Sequence, residues 1–532
     1  MGKEGLKWAY NNLREGIPMM PKRLLAGLVL AILWIPSLRG QDSDRLIFPD
    51  PHQEIWIVRA SPGGSGLPSG ARLPESDPLA AKILTELRLP FHHSVIRLSQ
   101  CGRNLVGSKD GPNVLYLSGN EGGFAPHGLS IVEAARTTEF PELNYVDLVL
   151  DEDRLAEGAL SIYSHELGHV MMSNVWKSFP ESESVKQHVS MGITDFAMAF
   201  YEGWGEHFQR LALDAIPAYR KAYEGSFDYR VPTLSLWHSR IDEDLRISGV
   251  LRNEYIWQKM APPAGPDPRN LETSLLLEHV FPVFDRLHLK NAQQMLSCEG
   301  VLATLFYRIA TNPVLGGRYA DSAFYERFLL SPIPAGLKPR DIFTPYENVT
   351  LKVFWVWHQL NAKSALAKAP FVEFLEGWSE AFPEDKDVIL GIFLSTTAGR
   401  TVSRDLGDAF ERAAFSGMIG DYPKYRESAG AFNKALADVK AKVLSGETSV
   451  DACIGPELWV TNKDFLIRTT LWDAEAKKPL RINLNTCSTW DLMTFPGTPK
   501  EKADKIIETR EKAGFFRSLE EARIAGVPVP PS

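Results

Sequence analysis

In this 532-residue chain the residues best suited to chemistry are His165-Glu166-Leu167-Gly168-His169, an HExxH pattern. Histidines four apart on a helix lie on one face, so both imidazoles can reach a single ion. Neutral imidazole is a good zinc ligand, with Zn–N distances near 2.0–2.1 Å. Glu166 would sit beside such an ion, better placed to handle a water molecule than to ligate. With twelve histidines in the chain, the pattern is rare by chance. The bland reading is an exposed helix with two accidental histidines. Ile162, Leu167, Val170 and Met171 speak against it, because they give the helix an apolar back.

Two histidines do not complete a catalytic zinc site, which takes three protein ligands and an open position. Downstream, Phe200–Phe208 reads FYEGWGEHF and offers Glu202, 33 positions after His169, in an aromatic helix where a carboxylate needs a partner. HELGH followed by YEGWGEHF resembles the gluzincin metallopeptidases, in which a glutamate on a second helix completes the HExxH pair. The resemblance spans Ala159 to Gln209 and implies zinc held by His165, His169 and Glu202, with Glu166 as general base. Glu206, one turn on, is the second choice, as ligand or as a carboxylate that holds one imidazole in its tautomer. Similar strings place Glu376 (FLEGWSEAF) and Glu299 (CEGVLATLF) in look-alike settings. Both read as ordinary amphipathic helix starts, and His188 and His207 are left out as lone histidines.

The chemistry this implies is metal-assisted hydrolysis, with zinc lowering the pKa of a bound water to about 7. Glu166 would take the water proton and pass it to the leaving amine. The oxyanion needs a further donor, for which Tyr255 and His238 qualify by type and order. Trp176, Phe196, Phe200 and Trp204 would either line an apolar subsite or pack a core.

A second motif ends the chain. Residues 481–529 carry INLNTCSTWDL, FPGTP, ADKIIETR and GFFRSLEEA in that order. They resemble the helix-hairpin-helix domain of competence-type DNA-uptake proteins, whose hairpins present backbone N–H groups to phosphate. Here Pro499 stands in the first hairpin and Pro528 closes the second, and proline has no N–H. Eight basic residues face seven acidic ones between Arg481 and Arg523, which leaves little footprint for phosphate. A packing module and a nucleic-acid contact both remain open for residues 481–532.

These motifs need a frame. Asn113–Gly119 and Asn144–Asp151 read as strands, Leu155–Trp176 as the helix carrying HExxH, and most of the chain to Ser445 as helices. Residues 42–80 are rich in Pro, Gly and Ser and read as loop with short extended pieces. The expected fold is mainly α within an α+β plan. A zincin-like metallopeptidase domain (80–450) has a small N-terminal β-sheet and a helical C-terminal part. It follows a loop-rich linker (41–79) and precedes a connector (451–480) and a small all-α helix-hairpin-helix domain (481–532).

Composition is ordinary for a folded protein, and a net charge of −8 speaks against a chain built to coat nucleic acid. Residues 1–40 read as an N-terminal extension and signal. Lys22 and Arg23 precede an apolar run, 24–38, too short for a comfortable membrane span. The expectation is export to the periplasm or outside, with residues 24–38 as an uncleaved anchor the minor alternative. Cys101, Cys298, Cys453 and Cys487 show no metal spacing and fit one or two disulfides or free buried thiols equally. The preferred reading is an exported zinc peptidase acting on peptide or protein. Its rival is a cell-envelope nucleic-acid-binding protein on an inactive zincin scaffold.

Overall fold

The computed structural model describes residues 55–61, 66–108, 111–120, 122–133, 136–225, 257–261, 271–277, 283–363, 365–468 and 477–528. The apolar run at 24–38, Tyr255 and His238 lie outside them. About half of the described residues are helical. No helix among the described residues is long and apolar enough to cross a membrane.

A curled, mixed sheet of seven strands comes first: β1 (Ile55–Ala60), β2 (Ser69–Arg72), β3 (Asn113–Leu117), β4 (Gly123–Phe124), β5 (His127–Glu133), β6 (Arg136–Asn144) and β7 (Val146–Leu148). Their order is β4-β7-β3-β1-β2-β5-β6. The pairs β1/β3, β3/β7 and β2/β5 are parallel, and β4 pairs antiparallel with β7. Side chains alternate across a strand, and the two faces use that alternation. Ile55, Ile57, Leu115 and Leu117 enter the main core beneath the helices. Val58, Val114 and Tyr116 point the other way, where Leu129, Ile131 and Leu143 of the curled β5–β6 hairpin close over them. Residues 41–79, expected as a linker, therefore supply β1 and β2 to the sheet. The Pro/Gly/Ser stretch between these strands masked their short apolar runs.

The helices that build the site are α1 (Pro90–Leu105), α2 (Leu160–Val175), α3 (Phe196–Ala215) and α4 (Glu299–Ala310). Almost every residue of α2 and α3 is buried, which marks them as central core helices. The α3–α4 crossing is close: a Cβ on Gly203 would lie 2.7 Å from the backbone nitrogen of Ala303. Outside them, α5 (Pro345–Leu360) and α6 (Pro370–Ala381) complete the main core with further short helices.

The C-terminal unit comprises β8 (Trp459–Arg468), β9 (Lys477–Asn483), α7 (Thr489–Met493), α8 (Lys500–Ala513) and α9 (Leu519–Ile524). Its core is shared between ribbon and helices, since Val460, Ile467, Leu480 and Ile482 pack with Leu492, Ala503, Ile506 and Phe516. The all-helical expectation for this unit is thereby corrected, and part of the expected connector folds into it. A helical hairpin this small buries too little apolar surface alone, and the ribbon supplies the rest.

Candidate metal centre

Helix α2 carries His165, Glu166 and His169, and all three are buried. Helix α3 lies across it and carries Glu202. Nε2 of His165 and Nε2 of His169 stand 3.0 Å apart. Glu202 Oε2 lies 3.4 Å from the first and 3.5 Å from the second. For tetrahedral zinc with bonds of 2.0–2.1 Å, ligand atoms sit about 3.3–3.4 Å from one another, so the triangle fits. The donor set argues the same way. At most one hydrogen can lie between two imidazole nitrogens, and a cation facing all three atoms satisfies each lone pair. Nδ1 of either histidine has no hydrogen-bond partner among the described residues.

Electrostatics tie the cluster together. Burial works to lower the pKa of His169, but the carboxylates of Glu202 and Glu166 outweigh it and hold that pKa above the ordinary value. Burial would raise Glu202, yet His188, His169 and the hydrogen bonds from His165 and His169 hold it well below the usual carboxylate range. Tyr201 lies flat on His169, ring centroids 3.9 Å apart and planes within 5°. Burial pushes its phenol pKa upward, so it stays neutral.

Glu166 lies against the edge strand. A Cβ on Gly123 of β4 would fall 2.5 Å from Glu166 Oε1, so this carboxylate rests on bare backbone. The opposite edge of β4 is unpaired among the described strands.

The other candidates are placed differently. Glu206 is buried and accepts a 2.6 Å hydrogen bond from Ser190 Oγ, and it is not part of the His165–His169–Glu202 group. Glu376 is remote on α6, where Lys368 pairs with it at 2.6 Å. His207 faces the carbonyl of Trp204, and burial lowers its pKa to about 3. Trp176, Phe196, Phe200 and Trp204 are core residues, and Trp204 donates to the Gly168 carbonyl at 2.9 Å. Trp176 also borders a cavity of about 350 Å³ with Met172, Phe179, Met198 and Tyr201.

Sequence reasoning passed over His188 and Glu299, and the structure brings both to Glu202. His188 Nδ1 is 3.2 Å from Glu299 Oε2 and 3.7 Å from Glu202 Oε2. The loop between α2 and α3 is responsible. Asp195 caps α3 and gathers Ser182 Oγ and the backbone of Glu183 and Ser184 at 2.7 Å. Further along, Gly300 N donates to Ser190 O at 2.7 Å, and Ile193 bridges Cys298. These contacts seat His188 on the first turn of α4.

In the C-terminal unit the motif residues hold the fold. Buried Asn485 accepts from Phe516 N at 2.7 Å and donates to the carbonyls of Pro456 and Phe516. Buried Arg510 donates to the carbonyls of Leu484 and Cys487. Gly497 turns the first hairpin at φ +71°. Most of the exposed charge is neutralised locally: Lys500 pairs with Asp504, Lys512 with Glu508, Arg517 with Glu521 and Arg523 with Glu520.

A family model of the helix-hairpin-helix motif matches residues 478–522. No curated protein and no solved structure matches the chain.

Proposed function

We propose that this chain is an exported zinc-dependent hydrolase of zincin type that cleaves peptide bonds. The observation that carries the reading is the convergence of His165, His169 and Glu202 within hydrogen-bond range of one another, with Glu166 beside them at an open strand edge. Zinc bound there would supply Lewis acidity and a water acidic enough to attack at neutral pH. The chain's own groups do the rest. Glu166 accepts the water proton and returns it to the leaving nitrogen. The free edge of β4 offers backbone N–H and C=O groups to an extended peptide, the pairing that positions a substrate as an added strand. Tyr201 keeps the His169 ring in its plane by stacking on it.

The test is a peptide library incubated with the full chain and zinc, beside Glu166→Gln. Cleavage by the wild type and none by the variant supports the reading. Equal cleavage by both sinks the role of Glu166. Export is tested by fractionation and N-terminal sequencing of the natural protein, where a mature chain starting at Gln41 is expected.

A second reading, nucleic-acid binding by the C-terminal unit, is favoured by the helix-hairpin-helix match. The paired charges there weaken it, since phosphate contact needs uncompensated cations. A salt-sensitive DNA shift by the full chain, lost in Lys502→Glu with Lys505→Glu, would establish that reading.

A further inference from the structure

We propose that His188, Glu202 and Glu299 hold a second divalent transition-metal ion, with Glu202 shared between it and the zinc centre. The inference rests on the zinc reading only through Glu202. The ligand atoms of these three residues all lie within 4.8 Å of one another. His188 Nδ1 and Glu299 Oε2 are 3.2 Å apart, inside the span of two ligands on one ion.

The carboxylates make the argument. The Glu299 side chain is 2% exposed and that of Glu202 is 11% exposed. Among the described residues the ion-pair partners of both are imidazoles alone, with no Lys or Arg. Oε1 of Glu299 is buried and has no hydrogen-bond partner among the described residues. A buried carboxylate oxygen left this way is costly, and a cation beside it removes the cost.

The third corner selects the kind of cation. An imidazole nitrogen with two carboxylates suits zinc, manganese or cobalt, whereas magnesium and calcium prefer oxygen alone. One carboxylate can serve two ions about 3.5–4 Å apart, as in two-metal hydrolytic sites. The His188 side chain is 39% exposed, which leaves this corner open for an ion to enter.

The experiment is a metal count on the full chain, stripped with chelator and titrated with Zn²⁺, read by native mass spectrometry. Two ions per chain are expected for the wild type, and one each for His188→Ala and Glu299→Gln. The isosteric Glu299→Gln guards against misfolding in the other variant, and circular dichroism checks both. Saturation at one ion that Glu299→Gln leaves untouched overturns the second site while the zinc centre stands. One ion lost in Glu299→Gln but kept in His165→Ala overturns the zinc centre and retains the His188 site. No ion at all overturns both.

Discussion

Gly205 of α3 faces His165 of α2 so closely that a Cβ at that position would lie 2.7 Å from the histidine's Nε2 and Cδ2. The same atom would stand 2.8 Å from Cε1 of His169. Bare backbone on α3 is thus what lets two imidazoles and Glu202 share one small volume. Gly205→Ala should add about 0.5–1 kcal/mol of helix stability by propensity while pushing both rings aside. The outcome we expect is a folded chain whose zinc affinity falls about 10–100-fold, the range for lost support of a ligand. Chelator competition measures this, and unaltered affinity would show that the rings have room to move.

Glu166 and Glu202 should separate in their effects. Glu166→Gln keeps the zinc and lowers turnover by roughly 10²–10⁴-fold, the usual contribution of a general base. Glu202→Ala removes an oxygen lying 3.4 Å and 3.5 Å from the two imidazoles, so it should release metal first and activity with it. Zinc content and peptide cleavage, measured on the same samples, distinguish the two. Retained zinc in Glu202→Ala would refute its place as a ligand.

What could be read beforehand was what local spacing encodes. The helix carrying His165 and His169 shows in its own periodicity, and the aromatic helix around Glu202 shows likewise. His188 and Glu299 could not be read this way. Each is unremarkable among its neighbours, and they meet only because the 182–195 loop is pinned to the start of α4 by Asp195, Ser190 and Ile193. Glu299 does begin a helix as expected, but that helix is buried along nearly its whole length rather than amphipathic, and its local sequence does not show this tertiary position. β1 reads only as one of the short extended pieces of 42–80, for a related reason. It is central in the sheet, but its partners β2 and β3 lie beyond turns and a helical segment that no local pattern joins to it.

Another buried charge pair joins α5 to the segment that follows α6. Lys352 Nζ meets Asp385 Oδ2 at 2.8 Å, with both side chains 1% exposed or less. Arg318 reaches the other oxygen at 3.3 Å from a partly exposed position. Removing one member of such a pair leaves an uncompensated charge and costs about 3–5 kcal/mol. Lys352→Met should lower the denaturation midpoint accordingly, with Asp385→Asn in the same chain recovering part of the loss. A Lys352→Met chain as stable as wild type would mean that Arg318 alone compensates Asp385.

The cysteines separate two expectations that composition left equal. All four are free, with Cys101, Cys298 and Cys487 buried and Cys453 partly so. Burial pushes the Cys101 and Cys298 thiols up, which keeps them protonated and unreactive in the folded chain. Protein denatured without reductant should therefore titrate four thiols with a disulfide reagent. Two fewer would reveal a disulfide.

His92 makes stability depend on pH. Tyr219 donates its hydroxyl hydrogen to Glu86 Oε2 at 2.8 Å, so the phenol oxygen accepts from His92 Nε2 at 2.9 Å. That leaves Nδ1 as the acceptor for Ser164 Oγ, 3.1 Å away on α2 beside His165. The ring is held neutral, in one tautomer, and burial lowers its pKa to about 3. The unfolded chain, with His92 near 6.5, binds the proton first as pH falls. Stability from this group is therefore whole above about 6.5 and is lost on descent toward 3, by up to about 1.4 kcal/mol per unit. His92→Gln keeps a donor and an acceptor but cannot titrate, so its stability should fall less steeply than wild type between pH 6 and 4. Denaturant midpoints measured across that interval decide the matter, because parallel slopes would mean that His92 can take up its proton without unfolding the chain.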